Sequence, residues 1–489
     1  METAATRASD YSREVFAPPL AILTGALVAA SFTLVSVLFG YTVGGILFGF
    51  TALALSTLSL EFGMALLFLI VILFNANEIR SISIPFFGGG LRPTDLVTAV
   101  IVAGWIFRMV TVRKERDRLP RKLLWPVSGF VALGIICAIR GIQNGAEYKD
   151  SLLELRPILS YLLILPVIAE FRLPQIKRMV WLIILASWVA AIHSIFIYAN
   201  GNGDAGAYTG GRVRVMEIEY PFVLLAFLIA FSMYIHRMWR GLAPVLCMIS
   251  LLAGLAVTFY RSAFLAFAAS LALVYWLADR QSRQRWRRDA VWVAAIFLIA
   301  ALADTLWVGR GSGFATALGT RIGSIDDYDN DASAQHRLNE WDAALRLFGE
   351  NPVAGAGLGT RVQFHSPMYS DDEKPRKGYW SDDFYIHNAY IWLATKMGVA
   401  GLVIFLFLFG TGLKTAITAA RVSANRDERA LLIGIIGALV SLIVLSMFGP
   451  TVFTINQAPF AAFAFAIAYI LRKSTAPQKN VSRPEVSHE

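Results

Sequence analysis

Residues 177–199 read KRMVWLIILASWVAAIHSIFIYA and decide the fold class of this chain. From Met179 to Ala199 the stretch contains no Lys, Arg, Asp or Glu. A helix of about 20 residues is long enough to cross the hydrocarbon core of a bilayer. Inside a bilayer no water is present to pair with backbone groups, so a helix that pairs them internally is favoured. The stretch therefore predicts a transmembrane helix.

Similar apolar runs recur along the chain, and the composition agrees with them. Of 489 residues, 56% are hydrophobic and only 16% are charged, with a mean hydropathy of +0.58. A soluble chain of this length would instead divide into several polar-surfaced domains. We predict an all-α, polytopic membrane helix bundle with about 12 to 14 transmembrane helices. The predicted spans are 19–38, 42–58, 61–76, 95–112, 123–140, 154–171, 177–199, 220–236, 242–259, 262–278, 289–307, 387–411, 429–448 and 452–471.

Basic loops orient these helices. The two richest are VRKERDRLPRK at 112–122 and DRQSRQRWRR at 279–288. Positively charged loops stay in the cytoplasm, and one alternation of the helices then puts every basic cluster on that side. This placement accounts for the net charge of +10 without nucleic-acid binding, because aromatic and basic residues do not interleave on a polar region. The predicted regions are a cytoplasmic tail at 1–18, helices at 19–307, a large loop on the non-cytoplasmic side at 308–386, helices at 387–471 and a cytoplasmic tail at 472–489.

The large loop contains one predicted amphipathic helix, AQHRLNEWDAALRLFGENP at 334–352. Leu338, Trp341, Leu345 and Phe348 fall on one face at helical spacing. Asn351-Pro352 ends the helix, and Asp331 or Ser333 can cap its start. Such a helix can lie on the membrane surface or pack over the mouth of the bundle.

Arg212, Arg214 and Arg261 lie in short loops on the predicted outer face, where the positive-inside rule disfavours arginine. Arg337 lies on the helix of the large loop on the same face. A guanidinium stays charged and binds two oxygens at once, which suits phosphate or diphosphate. The competing interpretation is that each arginine pairs with a loop carboxylate or a lipid headgroup. For the set as a whole we favour an anionic ligand.

His387-Asn388 begins the span HNAYIWLATKMGVAG. A histidine at this position can accept a proton from a sugar hydroxyl near neutral pH, although a single histidine is also compatible with a structural role. His336 and His365 in the same loop are weaker candidates.

Two other patterns in the loop argue against a metal or a nucleotide. The acidic run Asp326, Asp327, Asp329 and Asp331 resembles the start of an EF-hand, but Ala332 and Leu338 replace its required glycine and glutamate. The segment GAGLGT at 355–360 lacks the lysine of a phosphate-binding loop, so we predict a tight turn. For the acidic run we favour a solvated loop, with a metal site as the alternative. We expect no metal and no cofactor for the protein.

The order of several motifs resembles the O-antigen ligase and polymerase superfamily of bacterial membrane glycosyltransferases. An arginine-bearing loop precedes an apolar span (GGRVRVMEIEYPFVLLAF, 210–227), and an arginine begins a later span (YRSAFLAF, 260–267). Then follow HRLNEWDAALRLFGENPVAGAGLGT at 336–360 and HNAYIWLATKMGVAGL at 387–402. The resemblance is strongest from about 210 to 410.

The resemblance implies a membrane-embedded glycosyltransferase of the GT-C type in the bacterial inner membrane. It would transfer a glycan from undecaprenyl diphosphate to an acceptor glycan or glycolipid at the periplasmic face, without a metal. Arg261 and one of Arg212 or Arg214 would hold the diphosphate, and His387 would be the base in an inverting displacement. Arg337 would order the loop or bind phosphate, with Asn388, Trp341 and Asp383 in support. Tyr379, Trp380 and Tyr385 could stack on sugars or anchor the loop at the membrane interface.

Two questions stay open at the level of sequence. A polysaccharide polymerase and an O-antigen ligase differ only in their acceptor, and we lean slightly towards polymerase or exopolysaccharide assembly, with chain-length or export proteins as possible partners. The alternative function is a transporter or flippase for lipid-linked oligosaccharide. Transporters usually have repeated halves and charged or broken helices at the midplane. Here the arginines cluster on one face instead.

Overall fold

In the computed structural model, the described residues are 51–74, 92–111, 121–200, 204–205, 213–215, 219–289, 332–369 and 377–475. Outside them lie the predicted span 19–38, residues 42–50 of span 42–58, residues 290–307 of span 289–307, the acidic run 326–331 and Arg212.

The described chain is predominantly α-helical, which confirms the predicted fold class. Six of its helices are long and apolar enough to cross a membrane: Pro93–Thr111, Leu123–Gln143, Tyr148–Glu170, Leu173–Ala199, Ala389–Val422 and Arg426–Leu445. Four shorter apolar helices accompany them. In chain order the elements are α1 Leu60–Leu73, α2 Pro93–Thr111, α3 Arg121–Gln143, α4 Tyr148–Ser160, α5 Ile164–Glu170, α6 Leu173–Ala199, β1 Asp204–Ala205, β2 Val213–Arg214, α7 Tyr220–Ile235, α8 Leu242–Ala256, α9 Arg261–Leu277, α10 Ala332–Glu350, β3 Val362–Tyr369, β4 Lys377–Asp383, α11 Ala389–Val422, α12 Arg426–Leu445 and α13 Gln457–Thr475.

Several ion pairs between helices lie at one end of the bundle. Arg108 at the end of α2 pairs with Glu170 at the end of α5 at 2.8 Å, and Lys177 at the start of α6 pairs with Asp427 at the start of α12 at 3.1 Å. Partly exposed ion pairs contribute at most about 1 kcal/mol each to stability. Their main value here is that they show which helix ends lie together. We call this the basic end. The loops predicted to share one side of the membrane therefore share one end of the fold.

The loop elements lie at the opposite end, which we call the site end. Helix α10 packs against the hairpin β3–β4 and against α11. The hairpin is antiparallel, with Val362 opposite Asp383 and His365 opposite Trp380. Just before β3, Arg361 donates to Asp150 of α4 at 2.7 Å, which anchors the base of the hairpin to the bundle. The sequence interpretation did not include this hairpin.

Helix α11 is broken at Gly398, and the glycine-rich turn enters the break. Gly398 has φ 66° and ψ −171°, a combination that is essentially restricted to glycine. The break frees carbonyls of the preceding helical turn, and the amides of Ala356 and Gly357 donate to those of Thr395 and Lys396 at 2.8 and 3.0 Å. The predicted tight turn is confirmed, and its role is to fasten the loop to α11.

A buried ion pair completes this junction. Lys396 of α11 is fully buried, and its ammonium lies 3.3 Å from the carboxylate of Glu154 on α4. The same carboxylate accepts from the indole of Trp392 at 2.7 Å and from the amide of Gly359. Lys396 also donates to the carbonyl of Thr360. Removing one partner of such a pair costs about 3–5 kcal/mol, because the other charge stays buried.

Candidate active site

Helix α10 supplies two polar side chains from one face. His336 and Glu340 are four residues apart, so they lie one turn above the other. The fully buried residues of α10 are Glu340 and Ala344, and the carbonyl of Ala344 accepts from the hydroxyl of Thr395 at 3.1 Å. Leu345, which belongs to the predicted apolar face, is 49% exposed. Helix α10 turns the carboxylate of Glu340 towards the protein, where His387, just before α11, bonds to it.

That carboxylate holds His387 at two points. Glu340 Oε2 accepts from the backbone N–H of His387 at 2.7 Å, and the ring Nδ1 lies 3.0 Å from Oε1 and 3.2 Å from Oε2. A carboxylate can only accept, so we assign the ring hydrogen to Nδ1. Nε2 is then unprotonated in the neutral ring. Glu340 is 1% exposed and the His387 side chain 32%, so only the histidine is accessible to a ligand.

His336 lies beside this pair. Its Nδ1 is 2.8 Å from the hydroxyl of Ser366 on β3, and its ring centre is 5.8 Å from that of His387. Burial lowers the pKa of His336, whereas Glu340 acts in the opposite direction and His387 adds to the lowering. His336 is therefore expected to be neutral near pH 7, so that it contributes packing and polarity but no charge.

Asn388 fixes the start of α11 beneath the histidine. Its side-chain oxygen accepts from the amides of Tyr390 and Ile391 at 2.9 and 3.1 Å, and its nitrogen donates to the carbonyl of Met447 at 3.1 Å. An asparagine at this position satisfies backbone donors that a helix start leaves unpaired. The predicted supporting residue thus supports His387 as a helix cap.

Arg337 and Arg261 both belong to the site end. Arg261 is the first residue of α9 and follows Tyr260, whose ring stacks on Tyr220 with centres 4.2 Å apart. Arg337 lies within electrostatic range of Tyr220 and of Tyr385. Burial raises the pKa of the Tyr385 hydroxyl, and the charge of Arg337 opposes that effect. The ring of Tyr385 meets that of His387 edge to face at 4.9 Å. Arg337 thus acts electrostatically on the tyrosine that contacts His387, whereas Arg261 begins its helix directly after the stacked pair Tyr220–Tyr260.

The loop with the other two arginines approaches the same region. The backbone of Arg214 pairs with that of Asp204, and the amide of Val215 donates to the carbonyl of Val257 at 3.3 Å. Val257 follows α8 and leads directly to Arg261. The side chain of Arg214, like the whole of Arg212, lies outside the described part of the chain. The choice between them stays open.

Trp341 and Asp383 contact other parts of the protein in different ways. Trp341 is partly buried and packs against the hydrophobic core. The carboxylate of Asp383, at the end of β4, accepts from the amide of Tyr385 at 2.9 Å. This local bond turns the chain from the hairpin towards His387. Asp383 also acts electrostatically on His336, while the described bonds of the His387 ring run to Glu340.

Sequence reasoning missed the carboxylates of Glu340 and Glu219. Glu340 stands four residues after His336 on the predicted helix, a spacing that could have flagged it. Glu219 precedes α7, and its two oxygens accept from Asn456 and Gln457 at 2.5 Å each. Burial raises the pKa of Glu219. No local spacing connects residues so distant in the chain.

His336, Glu340 and His387 could also hold a metal ion. One ligand atom from each lies within 4.8 Å of the others. Two imidazoles and a carboxylate are a donor set that zinc accepts. The hydrogen bonds of Glu340 to His387 and of His336 to Ser366 account for the same arrangement without an ion. The geometry therefore permits a metal but does not require one.

A comparison with protein families matches residues 245–406 to the family described as O-Antigen ligase. The matched range includes Arg261, α10, the hairpin, His387 and the break in α11. The match confirms the resemblance to the O-antigen ligase and polymerase superfamily over that range, and it supports a membrane glycosyltransferase activity on lipid-linked glycans and acceptors. Together with the six long apolar helices it indicates a multi-pass membrane protein. A comparison with curated proteins found no match.

Proposed function

We propose that this chain, which carries the O-antigen ligase region at 245–406, transfers a glycan from undecaprenyl diphosphate to the hydroxyl of an acceptor glycan. The reaction would take place at the periplasmic face of the bacterial inner membrane, with inversion at the anomeric carbon. The observation that carries the proposal is the pair Glu340–His387 at the site end. Arg337 acts electrostatically on Tyr385, whose ring contacts that of His387.

The histidine is the proposed base. With the ring hydrogen held on Nδ1 by Glu340, Nε2 takes the proton from the acceptor hydroxyl. The acceptor oxygen forms a bond to the anomeric carbon as the bond from that carbon to the diphosphate breaks. The imidazolium that results is stabilised by the buried carboxylate, in the manner of a Ser-His-Asp triad. Glu340 is thus a positioning residue.

The arginines act on the leaving group. A diphosphate leaves with its charge on oxygen, and fixed guanidinium groups stabilise that charge as it develops. We assign this role to Arg261 and to one of Arg212 or Arg214, with Arg337 contributing from α10. No metal enters this mechanism.

As the acceptor we favour a growing polysaccharide over a lipid A core. Polymerases and ligases share the donor chemistry, so nothing in the base or the arginines separates them. Chain-length or export proteins would then be physiological partners.

A flippase remains the competing function, and α11 does have a break with a buried charge beside it. The break is filled by the chain itself, because Pro352 accepts from the amide of Val399 and Gly357 donates to Lys396. Glu154 and Lys396 neutralise each other and are also bonded to their neighbours. In the described part of the chain this junction resembles a fixed joint more than an ion pathway, which favours the enzyme.

The proposal is tested with purified protein in proteoliposomes and undecaprenyl-diphosphate-linked oligosaccharide. We expect release of undecaprenyl diphosphate together with a ladder of longer glycans when no lipid A core is added. Transfer only after addition of the core would assign the protein as a ligase. Protein that translocates the lipid but releases no diphosphate would contradict the enzymatic function.

A further inference from the structure

The outward face of the hairpin β3–β4 is separate from the face that serves the active site. Side chains alternate along a strand, so Phe364 and Ser366 turn towards α10. The opposite face exposes Gln363, His365, Trp380 and Asp382. Trp380 is 75% exposed. Nothing in the mechanism above uses these side chains.

The tryptophan is held on a rigid support. It lies opposite His365, whose ring meets it edge to face with centres 6.0 Å apart. The His365 ring in turn lies over Gly378, where an added Cβ would approach it to 3.3 Å. The carbonyl of His365 accepts from Asn339 of α10 at 2.9 Å. An exposed indole in a fixed position costs little entropy when a ligand binds it.

The chemistry of this face fits a carbohydrate. A pyranose presents C–H groups from one side of its ring, which stack on the face of an indole, and hydroxyls around its rim. Gln363, His365 and Asp382 offer donors and acceptors beside Trp380. We propose that this face binds sugar units of the glycan that lie several residues away from the reacting anomeric carbon. The inference rests on the proposed function, and it adds a second glycan contact to it.

The outward face of the hairpin adjoins the proposed active site. Strand β4 ends at Asp383, and the chain reaches His387 through Tyr385. The other side of the same hairpin bonds to His336. A glycan that leaves the base can therefore pass onto the outward face without crossing the bundle.

A membrane surface is the other partner that an exposed tryptophan suggests. Anchoring requires apolar neighbours, whereas Trp380 has Gln363, His365 and Asp382 on its own face. The segment joining the two strands, SDDEKPR at 370–376, has three acidic and two basic residues by sequence, a balance that does not complement anionic lipid. The polar neighbours of Trp380 and the mixed charges of this segment favour a glycan over a membrane surface as the partner.

The test compares Trp380→Ala and Trp380→Phe with wild type on donors of one and of four repeat units. The matched control is Trp276→Ala, since Trp276 is 63% exposed on the apolar helix α9. We expect Trp380→Ala to lower kcat/KM for the four-repeat donor about tenfold, equivalent to about 1.4 kcal/mol. The loss should lie in KM, Trp380→Phe should recover most of it, and the one-repeat donor should be unaffected.

Binding is measured separately by indole fluorescence. Free oligosaccharide, obtained by partial hydrolysis of the host polysaccharide, should change the wild-type emission but not that of Trp380→Ala. Equal kinetics for Trp380→Ala and wild type on the long donor would overturn the inference. So would strong quenching of Trp380 by brominated lipid that free oligosaccharide does not relieve. Activity that survives His387→Ala would instead overturn the proposed function, so the two failures are distinguishable.

Discussion

Glu340 holds His387 by two bonds at once, accepting from its backbone amide at 2.7 Å and facing its Nδ1 at 3.0 Å. One residue is on the loop helix and the other begins a membrane helix, 47 positions later in the chain. The pair therefore fixes the ring and the loop by the same contact.

Replacing Glu340 by glutamine tests the direction of that hydrogen bond. The amide has nearly the same shape, but its NH2 group donates, which favours the tautomer with the hydrogen on Nε2. That tautomer cannot accept the acceptor's proton. We expect kcat to fall by roughly 10²–10⁴-fold, measured as release of undecaprenyl diphosphate. Glu350→Gln, at the exposed end of the same helix, should behave as wild type. Full activity in Glu340→Gln would exclude the tautomer role.

Arg337 and Arg346 provide a matched pair on α10. Arg337 acts electrostatically on Tyr220 and Tyr385 at the site end. Arg346 is instead 77% exposed and pairs with Asp342 in the preceding turn of the helix. We expect Arg337→Ala to lower kcat/KM on the order of 10²-fold, because a fixed charge near the diphosphate is lost. Arg337→Lys should recover little, because an ammonium lacks the planar fork. Similar losses in Arg337→Ala and Arg346→Ala would mean that the helix, and not the site, is affected.

Gly398 and Gly410 distinguish the break from the rest of α11. An added Cβ at Gly398 would collide with the carbonyl of Val353, while at Gly410 it meets nothing within 4 Å. Backbone strain alone should cost Gly398→Ala about 1–3 kcal/mol. We predict a lower melting temperature in detergent and easier proteolysis of the loop. Gly410→Ala should match wild type, and equal melting temperatures for all three proteins would show that the turn is not fastened at Gly398.

Metal removal separates the two interpretations of the group His336, Glu340 and His387. If hydrogen bonds alone organise it, activity should be unchanged after treatment with EDTA, and metal analysis of the purified protein should find less than one tenth of an equivalent, on the order of background. Loss of activity on chelation, with recovery on adding zinc, would instead assign the three side chains as ligands.

The sequence predicts the membrane helices well because their signal is local. Spans predicted at 220–236 and 262–278 are found at Tyr220–Ile235 and Arg261–Leu277. The hairpin was missed, since Pro367 interrupts the alternation of β3 and the strand sits in a loop with many polar residues. The helical period of α10 is visible in the sequence, but the sequence does not indicate that Glu340 and Ala344 are its buried residues.

The site itself is only partly visible in the sequence. His387, Asn388 and the arginines are recognisable from their order along the chain. Glu340 is not, because its role depends on a contact with His387 that only the folded loop creates. The same holds for Glu154 and Lys396, 242 positions apart, which no periodicity connects. The sequence alone does not predict which charged residues pair when they lie far apart in the chain.

The central claim is that His387 is the base of a glycan transfer from a lipid diphosphate. The most direct measurement is single-turnover release of undecaprenyl diphosphate by wild type, His387→Ala and the control His193→Ala, whose histidine is exposed on α6. If His387 is the base, His387→Ala should bind the lipid-linked donor within about twofold of wild type, while its rate falls by roughly 10²–10⁴-fold. His193→Ala should keep the wild-type rate. Release of undecaprenyl diphosphate by His387→Ala at the wild-type rate would show that His387 is not the base.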